Sequence, residues 1–291
     1  MTGLTFAIVL VAATFHALWN FAAKKVSGNL SVLWLGLCFA SVLSWPFALS
    51  VYRVEELTPV AISCMLATGA IHAVYFGLVA QAYRHGDISL VYPVARGTGV
   101  AGTALLASIW LRESLVLIGV VGIVIICFGT ALLGAGQRGH HETFTAYLYA
   151  LAVGLTIAVY SVVDKLGVGI VHPIVYISSM STLAALALLP YMARRRWPEC
   201  CHALKQFKMF IGIIGVGSIG TYLMILFAYR LGPASYIVAV REFAVVIGVL
   251  LGVVFLRERM TLRKVVGMAA IVAGIMLVKT VCTTPALPPG Y

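Results

Sequence analysis

What this chain lacks most is charge. Only 10% of its 291 residues are Asp, Glu, Lys or Arg, while 62% are hydrophobic and the mean hydropathy is +1.05. Soluble domains carry about 25% charged residues. A chain this poor in charge cannot cover a water-facing surface, which excludes a soluble globular protein and points to a multispanning membrane protein. Acids are scarcer than bases, 9 against 20, leaving a formal net charge of +11. In a soluble chain that balance would point to nucleic acid. Here most Lys and Arg lie in short stretches between apolar runs, where positive charge orients a membrane protein, so no nucleic-acid partner is expected.

Patterns that carry chemistry are missing too. The six cysteines show no CxxC and no Cys/His ligand spacing. Cys38, Cys64 and Cys127 fall inside apolar runs as small fillers, and Cys200 and Cys201 are adjacent in an expected loop, a poor geometry for mutual pairing. Neither a disulfide framework nor a metal site follows. There is no phosphate-cradling glycine loop before a strand, no GxSxG and no HExxH, so no cofactor, ATP hydrolysis or metalloprotease chemistry is expected. The first apolar run starts three residues from Met1 without a basic n-region or a small-residue cleavage site, which predicts a retained span.

What is present is apolar length. Ten stretches, at roughly 4–23, 32–51, 59–83, 89–111, 114–134, 144–163, 172–192, 209–229, 234–256 and 262–280, each approach the ~20 residues that a helix needs to cross about 30 Å of hydrocarbon. They are continuously apolar rather than alternating, which disfavours a β-barrel. The expected fold is an all-α membrane protein of ten transmembrane helices.

The chain also repeats itself. Ala82-Tyr83-Arg84-His85-Gly86 leads through Ser89 and Arg96 to Leu111-Arg112-Glu113. Ala228-Tyr229-Arg230-Leu231-Gly232 leads through Ser235 and Arg241 to Leu256-Arg257-Glu258. Each mid-span arginine precedes the Arg of its Leu-Arg-Glu by sixteen residues, and one residue is deleted between Ser89 and Arg96 in the second copy. The first spans echo each other as well: Trp19-Asn20 with Lys24 against Tyr160-Ser161 with Lys165. The predicted units are 1–138 and 139–291, five spans each, joined by the connector at 134–142 that holds His140 and His141. Because five is odd, the second unit enters from the opposite side, so the repeats are inverted.

Arg96 and Arg241 are the sharpest candidates for function. Gly86 lies about 15 Å before Arg96 along an ideal helix, and Gly232 about 13.5 Å before Arg241, which sets both arginines inside the hydrocarbon region. An intramembrane Arg costs roughly 2.5–3.5 kcal/mol on insertion scales and needs a wet cavity, a partner or an anion. Glu242 follows Arg241 directly, so on a helix the two side chains diverge by about 100°. Glu242 is left with two roles, pairing with Arg96 across the bundle or taking up a coupling proton. Two deep arginines against one deep glutamate leave a surplus positive charge, which favours a substrate with a carboxylate, phosphate or phosphonate. Pro93, three residues before Arg96, predicts a kink in the fourth span.

Further polar faces accompany the arginines. His16 and Asn20 share a face of the first span with Trp19 beside them, and His72 shares one with Tyr75 on the third. Tyr92 shares one with Arg96, Tyr160 with Thr156 and Asp164, and Tyr222 with Ser218. Single polar residues are ordinary interhelical glue, but polar faces on five or six spans predict a shared aqueous cavity with aromatic walls. Asp87, Asp164, Glu113 and Glu258 are expected near helix ends beside basic residues, as interface or end-gating pairs. Small residues at packing spacing, Gly248 and Gly252, and Gly119, Gly122 and Gly129, predict close helix packing and are compatible with a homodimer through peripheral spans.

These residues resemble a known family. Ser-Leu-Val-Tyr-Pro-Val-Ala-Arg-Gly at 89–97, the paired Leu-Arg-Glu ends, His16-Ala-Leu-Trp-Asn20 and the five-plus-five layout are similar to the EamA branch of the drug/metabolite transporter superfamily. The resemblance covers nearly the whole chain. It implies alternating access around a central cavity lined by spans 1, 3, 4, 6, 8 and 9, with spans 5 and 10 peripheral. Relatives carry amino acids, sugar phosphates, nucleotide sugars or other small metabolites. Small four-span relatives use a first-span glutamate for cationic drugs; here that span has His16 and no acid, which counts against cationic drug export. The resemblance implies cytoplasmic termini, whereas the Lys and Arg distribution places them outside, because only Arg53, Arg112, Lys165, Arg230 and Lys279 lie on the side of the termini.

The sequence thus predicts a secondary transporter of a small anionic or zwitterionic metabolite in a bacterial inner membrane. Arg96, Arg241, His16, Trp19, Asn20, His72, Tyr75, Tyr92, Tyr160 and Tyr222 are the candidate substrate contacts. Glu242, or a histidine (His16 or His72), is the candidate for proton coupling. The rival class is a non-transporting membrane scaffold or an intramembrane enzyme.

Overall fold

The computed structural model describes residues 1–26, 29–85, 88–134 and 144–283, with all side chains there except those of residues 80, 83, 88–90, 256 and 282–283. The connector with His140 and His141, the boundary near residue 138, and Asp87 lie outside the described residues. Among the described residues no strand occurs. In hydrocarbon an unpaired peptide group has no water to turn to, so apolar chain satisfies its backbone within helices.

The first repeat is α1 (Gly3–Lys25), α2 (Leu30–Val51), α3 (Pro59–His85), α4 (Ile88–Trp110) and α5 (Leu117–Gly134). The second is α6 (Phe144–Ile170), α7 (Pro173–Tyr191) with α8 (Trp197–Gln206), α9 (Lys208–Leu231), α10 (Ala234–Val240) with α11 (Phe243–Leu256), and α12 (Leu262–Thr283). These make ten spans in two inverted sets of five.

Polar caps start several helices. The Thr2 hydroxyl accepts from the Thr5 N–H at 3.2 Å, the Asn29 side-chain Oδ1 from the Ser31 N–H at 2.8 Å, and His172 caps α7, where Pro173 is the first helical residue. Most helices of the first repeat pack on helices of the second: α1 on α9 and α11, α2 on α7 and α9, α3 on α6 and α7, α4 on α6 and α10, and α5 on α12. Small residues permit this closeness. A Cβ on Gly122 would lie 2.8 Å from the Gly274 carbonyl oxygen, and one on Gly129 would lie 2.7 Å from that of Gly267. Gly122 and Gly129 of α5 are therefore spent on α12 within the chain, and Gly119 lies against Tyr236 of α10.

Three expectations change. The ninth span is not one helix but α10 and α11, interrupted at Arg241 and Glu242. The fourth span, by contrast, runs through Pro93 as one helix. The seventh span does not stop at 192; it passes through a π-helical turn (Met192–Arg196) into α8. Cys200 and Cys201 thus sit on a helix rather than in a loop, with Cys200 buried against Trp34 and Met192. Pro198 at the start of α8 and Glu199 in its first turn favour that helix over a loop. The third change concerns Asp164, which belongs to the centre of the molecule.

Candidate functional site

Six of the ten spans send polar side chains to one buried centre. α1 brings His16 and Trp19, α3 His72 and Tyr75, α4 Tyr92 and Arg96, and α6 Tyr160 and Asp164. α9 brings Tyr222 and Tyr229, and the α10–α11 junction Arg241 and Glu242. The two arginines approach from opposite faces. Arg96 lies about 12 Å from the start of α4 and Arg241 about 10.5 Å from the start of α10, at 1.5 Å per residue.

Arg96 and Glu242 form a two-point ion pair between the repeats. The Nη2–Oε1 distance is 2.6 Å, and Nε donates to Oε2 at 3.2 Å. Their side chains are 8% and 1% exposed, so neither charge is solvated. The pair sits where the ninth span tightens from i→i−4 to i→i−3 bonding. The N–H groups of Glu242, Ala244 and Val245 donate to the carbonyls of Ala239, Arg241 and Glu242 at 3.1, 3.1 and 2.9 Å. No glycine or proline marks that turn. Arg241 and Glu242, adjacent in this turn, point apart and have different neighbours.

Arg241 is buried, and among the described residues its Nε and Nη2 have no hydrogen-bond partner and it forms no ion pair. Its charge acts on the hydroxyls of Tyr160, Tyr229 and Tyr222, and on His16, His72 and Tyr75. The Trp19 Nε1, also buried, has no partner among the described residues either. Buried donors without acceptors are costly, and such groups cluster where a ligand completes them.

The aromatic wall is continuous. His72 lies 4.5 Å from Tyr160, 5.7 Å from Tyr222 and 6.4 Å from Tyr75, ring centre to ring centre. Tyr75 and Tyr160 meet at 6.2 Å, and Tyr160 and Tyr222 at 6.1 Å. His16 and Trp19 meet edge-on at 5.1 Å, and the Arg96 guanidinium lies 6.0 Å from the Tyr92 ring. Asn20 turns back on its own helix, its amide donating to the His16 carbonyl at 2.7 Å. Thr156 and Ser218 likewise bond carbonyls of their own helices and leave the centre to their neighbours.

Asp164 is the residue that the sequence misplaced. It is fully buried, with no basic side chain in an ion pair with it among the described residues. Tyr176 donates to its Oδ1 at 2.9 Å and Tyr222 to its Oδ2. The neighbouring Lys165 turns the other way and donates to the carbonyls of Tyr229 and Gly232. Asp164 looked terminal because Lys165 follows it, yet α6 continues to Ile170, about 9 Å further. The i, i+4 spacing set it on one face with Tyr160, but its tyrosine partners come from the next span and from α9.

The Leu-Arg-Glu ends do lie at helix ends. Glu113 accepts from the backbone N–H groups of Ala234 and Ser235 at 2.6 and 3.1 Å and from the Ser235 hydroxyl at 2.6 Å, capping α10. Glu258 accepts from Lys24 at 3.1 Å and Lys264 at 3.0 Å. Partial burial pushes the Glu258 carboxyl up, but the hydrogen bonds and charges of Lys264 and Lys24 outweigh it and hold it below the usual glutamate value. On the face of the termini, a cavity of about 450 Å³ is lined by Arg53, Glu56, His172 and Arg230, among others. Burial and then the Arg230 charge lower the His172 pKa, with Glu56 opposing them and Arg53 adding to them.

Ten helical spans in two inverted sets of five, with ionised groups held at their shared centre, define a multispanning membrane protein of the inverted-repeat class. The comparisons narrow that class. The EamA-like transporter family matches the chain twice, over residues 2–135 and 144–280. The chain belongs to the EamA-like transporter family, and is a membrane transporter by that membership. One similar solved structure, titled only as the crystal structure of a protein, superposes with a TM-score of 0.75 at 18% identity and covers 96% of each chain; it supports the fold alone. Comparison with curated proteins gives no match.

Proposed function

We propose that this protein is a secondary transporter of a small anionic or zwitterionic metabolite, working by alternating access, with Arg241 as the anchor for the anionic group. One observation carries the reading. Of the two buried arginines, Arg96 has its carboxylate, and Arg241 has buried donors with none. A carboxylate, phosphate or phosphonate supplies the acceptors that a guanidinium fork requires. Tyr75, Tyr160, Tyr222, His72 and Trp19 form the wall against which the rest of the cargo lies. The Arg96–Glu242 pair ties the repeats together beside it. Alternating access is supported by the inverted repeats and by ties at both faces, Glu113 to α10 on one and Glu258 to Lys24 on the other.

The test is a thermal-shift panel on the purified protein, using L-glutamate, citrate, phosphoenolpyruvate, glucose 6-phosphate and, as a cationic control, spermidine. Ligand that binds only the folded state raises the melting temperature by mass action. At least one anion is expected to raise it in the wild type and to lose that effect in Arg241→Gln. A shift produced by spermidine alone would overturn the assignment. An anion that passes is then tried for flux in proteoliposomes, which separates a transporter from a scaffold.

A further inference from the structure

The buried centre holds four ionisable groups of fixed type, Arg96, Arg241, Asp164 and Glu242. Arg96 and Glu242 neutralise each other at 2.6 Å. The charge of the remainder therefore depends on Asp164. With Asp164 ionised, it offsets Arg241 at a distance, and the centre is neutral. With Asp164 protonated, the centre carries one positive charge and, among the described residues, no further buried carboxylate to balance it.

We propose that Asp164 is the proton-binding site of this transporter, and that its protonation readies Arg241 for an anion, so that proton and anion are carried together. This rests on the reading of Arg241 as the anion anchor. The linkage is reciprocal: a bound anion favours the neutral carboxyl to the same extent that the proton favours the anion.

The geometry around Asp164 supports a proton switch. On α9, Tyr222 donates to Oδ2, and on α7, Tyr176 donates to Oδ1 at 2.9 Å with the Cys64 carbonyl at 3.3 Å as a second acceptor. On α3, Cys64, Thr68 and His72 face the carboxyl. The His72 Nδ1 lies 2.9 Å from the Thr68 carbonyl, which only accepts, so that nitrogen carries a hydrogen. On α6 itself, Tyr160 stacks on His72, and Lys165 points away to the end of α9. Tyr229 of α9 and His72 lie within the fields of both Asp164 and Arg241, and Tyr222 bonds the first and faces the second.

Proton transfer can be written through these atoms. A proton from water on one face forms an O–H bond on Oδ2. The carboxyl then donates to the Tyr222 oxygen, and the Tyr222 hydroxyl hydrogen turns from the carboxylate to an anion held by Arg241. Departure of the anion reverses the turn, and the same O–H bond breaks to return the proton to water on the other face. Glu242 is less suited to this cycle, because taking up a proton would leave the Arg96 charge buried and unpaired.

The chain contains two aspartates, Asp87 and Asp164. The label therefore separates aspartate from glutamate bands, and Asp87→Asn separates the two aspartates. Full-length protein labelled with [4-13C]aspartate, in lipid nanodiscs, is titrated while infrared difference spectra follow the C=O stretch of protonated carboxylic acids. The expected result is a titrating band that moves with the label, persists in Asp87→Asn and is absent in Asp164→Asn. Its midpoint should rise by about one pH unit in Arg241→Gln, because removing a nearby positive charge favours the neutral acid. A band that ignores the label and vanishes in Glu242→Gln would overturn the proposal, as would a midpoint unmoved by Arg241→Gln. If Asp164→Asn does not fold, the label and Arg241→Gln still decide. Failure of the anion assignment shows elsewhere, as a missing thermal shift in a protein whose aspartate band still titrates.

Discussion

Arg112 and Arg257 occupy the same backbone conformation at matched places in the two repeats, with φ of 52° and 54°, and are the non-glycine residues with positive φ among those described. Each ends a helix, and the following glutamate N–H turns back to a carbonyl at 3.2 Å, that of Ala107 in one repeat and Gly252 in the other. The Leu-Arg-Glu motif is thus a helix stop that aims a glutamate.

A left-handed non-glycine residue costs about 1–2 kcal/mol. Arg112→Gly and Arg257→Gly are therefore expected to be neutral or to stabilise the fold by up to about 1 kcal/mol. Valine at the same places should destabilise by about that much or more. Melting temperatures of the purified variants check both directions.

The Arg96–Glu242 pair predicts strong non-additivity. Arg96→Gln leaves a buried carboxylate unpaired and should cost about 3–5 kcal/mol, as should Glu242→Gln for the arginine. Replacing both by leucine should recover most of that loss while transport stays abolished. A double-mutant cycle on thermal stability, with membrane insertion as a control, measures the coupling.

The stripe shared by α5 and α12 has no room for side chains. Gly122→Val and Gly129→Val place a Cβ 2.8 and 2.7 Å from carbonyl oxygens of the partner helix and should destabilise by about 1–3 kcal/mol. Gly248→Val, where a Cβ meets nothing within 4 Å, should be tolerated. Yields of folded protein from the membrane rank the three.

Glu258 gives a pH dependence of definite sign. Its folded-state pKa is depressed by Lys264 and Lys24 against the opposing effect of burial, so its stabilisation is present above the unfolded-state value. That contribution is lost as pH falls through the folded-state value. The acid-side fall in melting temperature should therefore be shallower in Glu258→Gln than in the wild type.

The spans and their inversion were legible because length, apolarity and an odd count per repeat suffice for them. The pairing of Arg96 with Glu242 was one of two roles visible in the residues. The interruption at Arg241 was not legible, since neither glycine nor proline marks it and only the tertiary ion pair accompanies the tighter turn. Asp164 was legible as a neighbour of Tyr160, but its partners, Tyr176 and Tyr222, were not, because they stand 12 and 58 residues away on other helices. Counting it also changes the charge of the centre, which the sequence had read as a simple positive surplus.

The cap on α10 has one more consequence. That helix is seven residues long and buried throughout, pinned at its start by Glu113 of the other repeat and followed at its end by Arg241. So short a rod transmits displacement along its axis with little loss. The cap made by Glu113 and the turn that carries Arg241 are accordingly held at a fixed spacing by α10.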